Sequence, residues 1–168
     1  DSANMTFIAW GDTQVSNYLY SRNQYAKNAC QDLVNSDIEF DAFVLAGDIA
    51  ENGLAAEYAT LYDYLAPVKT KAYIFSEGNH DIRLRAYSQS SKRFLNFVNT
   101  LNEDNDLTID KLYYSYEVNG YKFIVLASDK SEFEENWFSD EQLAWLDSEL
   151  EQSAKNGMPV FVINHQPL

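Results

Sequence analysis

Cysteine, basic residues and long apolar runs are all scarce in this chain, and each shortage narrows what it can do. A single cysteine, Cys30, excludes an intrachain disulfide and a thiolate metal cluster built by this chain alone. Lys and Arg number 12 against 26 Asp and Glu, a formal charge of -14. A protein that grips duplex nucleic acid needs a basic patch to replace condensed counterions, so that class of partner is excluded. No apolar run approaches the roughly 18 residues of a membrane helix, so no span is expected, and no signal-peptide pattern is present. There is no nucleotide P-loop and no Gly-x-Ser-x-Gly elbow, which leaves serine-nucleophile chemistry without support. The chain starts at Asp1 rather than Met, which points to processing or to a piece of something longer. With the lone cysteine, that start gives an expectation of an extracytoplasmic location.

What is present is a globular composition, 46% hydrophobic and 23% charged, in 168 residues. Strand-like and helix-like segments alternate, which predicts an α/β layered fold in one domain spanning residues 1–168. Thr6–Trp10, Ala42–Ala46, Ala72–Ser76 and Val160–Asn164 are short apolar runs expected as buried strands. Tyr25, Ala26, Ala29, Cys30, Leu33 and Val34 fall on one helical face, with Ser21 and Gln24 at capping-box spacing. Tyr58, Leu61, Tyr62 and Leu65 predict a second helix, and Phe94, Phe97, Val98 and Leu101 a third. Asn119-Gly120 between two β-rich runs signals a hairpin, because both residues tolerate positive φ. A capped helix from Ser139 and Gln142 is expected to turn Leu143, Leu146 and Leu150 inward and to stop at Gly157.

The chemistry lies at the C-terminal ends of the buried strands. They run into Gly11-Asp12-Thr13-Gln14, Gly47-Asp48-Ile49-Ala50-Glu51, Gly78-Asn79-His80-Asp81 and Asn164-His165-Gln166. In open α/β sheets ligands bind at that edge, so side chains distant in sequence can converge there. Oxygen and imidazole donors suit manganese, iron, zinc or magnesium. Any one of these residues alone is more often a turn, cap or satisfied polar group. Four such strand ends in order, holding both histidines of the chain, are harder to assign to chance.

These motifs resemble those of the calcineurin-like metallophosphoesterases, over essentially the whole chain. The family pattern is Asp-x-His, Gly-Asp-x-x-Asp/Glu, Gly-Asn-His-Asp/Glu and a later His. The resemblance implies a pair of packed β-sheets flanked by helices, in αββα layers. It implies hydrolysis of a phosphomonoester or phosphodiester, a small phosphate-ester substrate, by a hydroxide bridging two divalent metal ions. By it Asp12 and Gln14 would bind the first metal, Asp48 both, and Asn79 and His165 the second. His80 would be the catalytic acid, oriented by Glu51. The helix Ser139–Leu150 also looks like one common in the family.

Two departures accompany the resemblance. Gln14 stands where His is commonest; a neutral carbonyl oxygen binds zinc or iron more weakly than imidazole and favours manganese or magnesium. The family's later Gly-His-x-His is not in these residues, so closing strands and one further ligand per metal are expected beyond them. A catalytically impaired binding or structural module is therefore the alternative. Other candidates are weaker. Asp129 suits a turn, Arg83 and Arg85 could meet a phosphate or solvent, and Phe133, Trp137 and Phe138 could stack on a leaving group or pack.

Overall fold

A computed structural model describes residues 5–131 and 136–166. In chain order the elements are β1 (Phe7–Trp10), α1 (Tyr20–Asn35), β2 (Ala42–Ala46), α2 (Ala55–Leu65), β3 (Tyr73–Ser76) and a helical turn α3 (Asn79–Ile82). Next come α4 (Tyr87–Leu101), β4 (Tyr114–Val118), β5 (Tyr121–Val125), α5 (Asp140–Asn156) and β6 (Val160–Ile163). Strands β1-β2-β3 form a parallel sheet, and β4-β5-β6 a second sheet in which β4–β5 is antiparallel and β5–β6 parallel. Two small sheets with helices around them match the α/β architecture expected from the sequence.

The first sheet is built on apolar packing. β2 and β3 are buried along nearly their whole length, with Phe43, Leu45, Ile74 and Phe75 fully enclosed. Helices α2 and α4 cover it through Tyr58, Leu61, Leu65, Phe94, Phe97 and Val98, as their spacing predicted. Each such side chain contributes on the order of 1.5–3 kcal/mol by leaving water. The open edge of β3 is closed by side chains. Asn102 exchanges two hydrogen bonds with Tyr73, and the Tyr114 hydroxyl does the same with Phe75, each between 2.9 and 3.0 Å. Tyr114 thereby ties the second sheet to the first. Asn119 (φ 51) and Gly120 (φ 80) make the hairpin turn between β4 and β5.

Several expectations are corrected. Helix α1 begins before Ser21, at Tyr20, so Ser21 cannot cap it; the Ser16 hydroxyl instead accepts from the Tyr18 and Leu19 amides, and Asn23 clamps Ser16. Tyr25 is 78% exposed, because the buried stripe of α1 runs through Asn23, Ala26 and Cys30. Burial pushes the Cys30 thiol up to about 12, in keeping with an unreactive core residue. Ser139 does cap α5, its hydroxyl accepting from the Gln142 amide. The Gln142 side chain turns away from the cap to bond Ala127 and Asp129. That anchorage sets the helix so that Gln142 and Ser153 face inward, while Leu143 and Leu150 are exposed. Among the described residues β1 and β6 lie at sheet edges and are only partly buried, and Phe161 and Val162 reach solvent. Phe133 lies outside the described residues.

Candidate metal centre

The loops after the strands are laced together by backbone. Asp12 N donates to Gly47 O, Gln14 N to Asp48 O and Val15 N to Ile49 O, and Glu51 N returns to Val15 O. This lacing holds Asp12, Gln14 and Asp48 in the left-handed region, with φ of 54°, 39° and 49°. Such conformations cost on the order of 1 kcal/mol or more each, and persist only where the surroundings overdetermine them. Three of them at adjoining strand ends aim three polar side chains at one place.

The loop after β3 is tied to the loop after β2 by a single buried carboxylate. Asp81 accepts from the amides of Gly78, Ile49 and Ala50 and from the Tyr58 hydroxyl. Burial outweighs those hydrogen bonds and lifts its carboxyl to about 7. Glycine is needed at two points of close approach. A Cβ on Gly47 would lie 2.4 Å from the His165 side chain, and one on Gly78 2.3 Å from Asp48.

Side chains of Asp12, Asp48 and His165 each present one ligand atom within 4.8 Å of the others. Asn79 Oδ1 adds a fourth donor, 3.3 Å from His165 Nε2. His165 Nδ1 lies 2.8 Å from Ala46 O, which leaves Nε2 facing Asp48 Oδ1 at 3.2 Å. Hydrogen bonding to Asp48 raises His165 to about 9 despite partial burial. Burial pushes the Asp48 carboxyl up, but hydrogen bonds from His165 and the His80 amide, with the nearby imidazole charges, outweigh it and hold it below the usual range. A carboxylate and an imidazole that attract one another this strongly, with more oxygen donors around them, suit a divalent cation in chemistry and spacing.

His80 stands beside this cluster. Its amide donates to Asp48 Oδ1 at 2.9 Å, and its Nε2 lies 3.8 Å from Asp48 Oδ2. The ring is oriented by the backbone oxygen of Glu51, 3.0 Å from Nδ1; the Glu51 carboxylate is farther, at 3.7 Å. That carboxylate is held between two guanidinium groups, Arg22 on Oε2 at 2.9 Å and Arg83 on Oε1 at 3.1 Å. Arg83 also reaches Glu51 O and Asn52 and lies 3.4 Å from His80 Nε2, so it is part of the site rather than solvated. Gln14 Nε2 donates to Asp48 Oδ2 at 3.4 Å, and its Oε1 accepts from Arg22 Nη1 at 2.9 Å. A cleft of about 470 Å³ opens beside Asp12 and Gln14, lined also by Trp10, Arg22 and Tyr25.

The remaining candidates lie elsewhere. Asp129 accepts from Ser139 and Gln142 and fastens the start of α5, which is the turn role expected of it. Arg85 is exposed, and the Trp137 ring carries the Lys130 ammonium 3.8 Å above it. Sequence reasoning missed Arg22, whose place in α1 carries no motif, and gave Asp81 no role although it closes the Gly-Asn-His-Asp run.

Comparison with known proteins places the chain in a family and a fold. The chain is 31% identical over 140 residues to a probable cyclic nucleotide phosphodiesterase of Rhodococcus erythropolis, covering 81% of this chain and 42% of that protein. It is 26% identical over 129 residues to a 3′,5′-cyclic-nucleotide phosphodiesterase of Nostoc sp., covering 77% of this chain and 42% of that protein. The chain thus spans less than half the length of these curated relatives. A purple acid phosphatase from yellow lupin seeds shares the fold, with a TM-score of 0.59 at 14% identity over 94% of this chain and 29% of the other. The family model for calcineurin-like phosphoesterases matches residues 5–168, and the chain belongs to that family.

Proposed function

We propose that this chain carries the metal-binding half of a phosphoesterase site that hydrolyses a phosphodiester, with a cyclic nucleotide as the favoured substrate class. One observation carries the reading: Asp12, Asp48, Asn79 and His165 converge from four strand ends, with His80 against Asp48. Relatives named as cyclic nucleotide phosphodiesterases support the substrate class. Two divalent cations, with manganese favoured by the oxygen-rich donors, would neutralise the phosphate and activate water at neutral pH.

Asp48 lies between Gln14 and His165 and would serve both ions, Asp12 the first, and Asn79 with His165 the second. His80, held through Nδ1 by the Glu51 carbonyl, presents Nε2 to the site. When protonated there, it would donate that proton to the departing ester oxygen. Arg83 beside it would face the phosphate oxygens. The cleft lined by Trp10 and Tyr25 would receive the organic part of the ester.

Replacing His80 by Ala should lower turnover of a chromogenic phosphodiester by about 10²–10⁴-fold while leaving manganese binding intact. Loss of manganese binding in this variant would remove His80 from the acid's role. A second reading, a family domain with impaired catalysis that serves as a binding module, is favoured by Gln14, whose carbonyl is taken up by Arg22. Bound manganese with no hydrolysis would support it.

A further inference from the structure

We infer that Arg22 is a positioning residue that sets the amide orientation of Gln14 and thereby governs occupancy of the first of the two metal positions. The inference rests on the metal-binding reading above and goes beyond it. An amide can ligate a cation only through its carbonyl oxygen, because the nitrogen has no available lone pair. In this chain Gln14 is oriented the other way: its Nε2 faces the Asp48 carboxylate, and its Oε1 faces Arg22 Nη1 at 2.9 Å.

Both neighbours dictate that orientation. Arg22 has only donors to offer and Asp48, ionised, only acceptors, so reversing the amide would set donor against donor and oxygen against oxygen. The same Arg22 nitrogen is anchored on Glu51 Oε2 at 2.9 Å, so the guanidinium is held from a second side. The second position, with Asp48, Asn79 and His165, needs nothing from Gln14. An ion there would be held without hindrance. An ion at the first position, beside Asp12, would enter only when the amide turns over and the half-exposed Arg22 side chain gives up its bond to Oε1. The consequence is sequential filling, with the first metal position the weaker.

The test is manganese binding to the whole chain, counted by calorimetry and by the paramagnetic resonance of free manganese. The unmodified chain should bind one ion at least tenfold more tightly than a second. Arg22→Met should tighten the weaker ion by about tenfold and leave the tighter one unchanged, whereas Arg22→Lys, which keeps a donor, should resemble the unmodified chain. Loss of a positive charge would help any cation, so the decisive comparison is Arg22→Met in a Gln14→Ala background. There the gain should vanish, and its persistence would overturn the inference in favour of a general charge effect. Equal affinities for both ions in the unmodified chain, or an Arg22→Met variant that still binds one ion only, would overturn it as well. Binding of no ion by any variant, with thermal melts showing each folded, would instead overturn the metal-binding reading itself.

Discussion

The first sheet and the outer layer of the second differ in burial, and the candidate metal centre is divided between them. β2 and β3, with α2 and α4 against them, are secured by enclosed phenylalanines, leucines and isoleucines. The outer layer of the second sheet, α5 and β6, leaves Leu143, Leu150, Phe161 and Val162 exposed. Helix α5 is fastened by polar ties, Gln142 to Ala127, Asp129 to Ser139 and Lys122 to Glu149 at 3.0 Å, while β6 pairs with β5 and sets the Phe161 ring against Phe7 and Phe123. Asp48, Asn79 and His80 stand on the packed side, and His165 stands at the end of the exposed strand. Three of these donors and acceptors thus inherit the rigidity of a core, while the fourth depends on a marginal edge.

The contrast is broken most directly by truncating one residue on each side. Leu45→Ala, in the middle of β2, should cost about 2–5 kcal/mol, since a fully buried leucine leaves both lost transfer energy and a cavity. Val162→Ala, at 50% exposure on β6, should stay within about 0.5 kcal/mol. Urea unfolding of both variants measures the difference. Equal costs would mean that the outer layer is packed as firmly as the first sheet.

A smaller effect sharpens the comparison through pH. His165 is raised to about 9 by Asp48, so its stabilisation is complete below its ordinary value near 6.5 and is lost as pH rises toward 9. Asp81, lifted by burial to about 7, acts in the same direction, since keeping it neutral stabilises the fold below about pH 4 and that advantage is lost as pH rises to 7. The metal-free chain should therefore lose stability from pH 5 to 9, by up to about 1.4 kcal/mol per unit where either group titrates. Thermal melts across that range, without metal, should show a falling midpoint; a flat or rising midpoint between pH 6.5 and 9 would contradict the His165–Asp48 pair. A cation must displace the His165 proton, so manganese affinity should run the opposite way and strengthen by up to tenfold per unit toward pH 9.

Most of the packed side was legible in the sequence, because apolar periodicity reports burial. Tyr58, Leu61 and Leu65 on α2, and Phe94, Phe97 and Val98 on α4, face inward where their spacing places them. The strand-end motifs alone also brought Asp12, Asp48, Asn79, His80 and His165 near one another. Periodicity failed where polar residues fix an orientation. On α5 the leucines suggest an inward face, but Gln142, fully buried with bonds to Ala127, turns that face aside. Arg22 was illegible for a related reason: its role arises from one nitrogen meeting Gln14 and Glu51 across three elements, and no local pattern encodes such a meeting.

The finest comparison is between the two serines that carry capping-box spacing. Ser139 precedes α5, accepts from the Gln142 amide at 3.2 Å and donates to Asp129 Oδ2 at 2.8 Å. Ser21 lies inside the first turn of α1, where the cap position is already taken by Leu19. Ser139→Ala should therefore cost about 1 kcal/mol, while Ser21→Ala should cost nothing measurable or even stabilise slightly, alanine being the better helix former. Both values come from the same urea unfolding experiment. Because α5 covers β5 and is joined to it by polar contacts, the Ser139 loss should also loosen the strand beside β6. Amide hydrogen exchange at Ile163 should then quicken in Ser139→Ala and stay unchanged in Ser21→Ala. Equal exchange in the two variants would show that β6, and with it His165, is held independently of the cap.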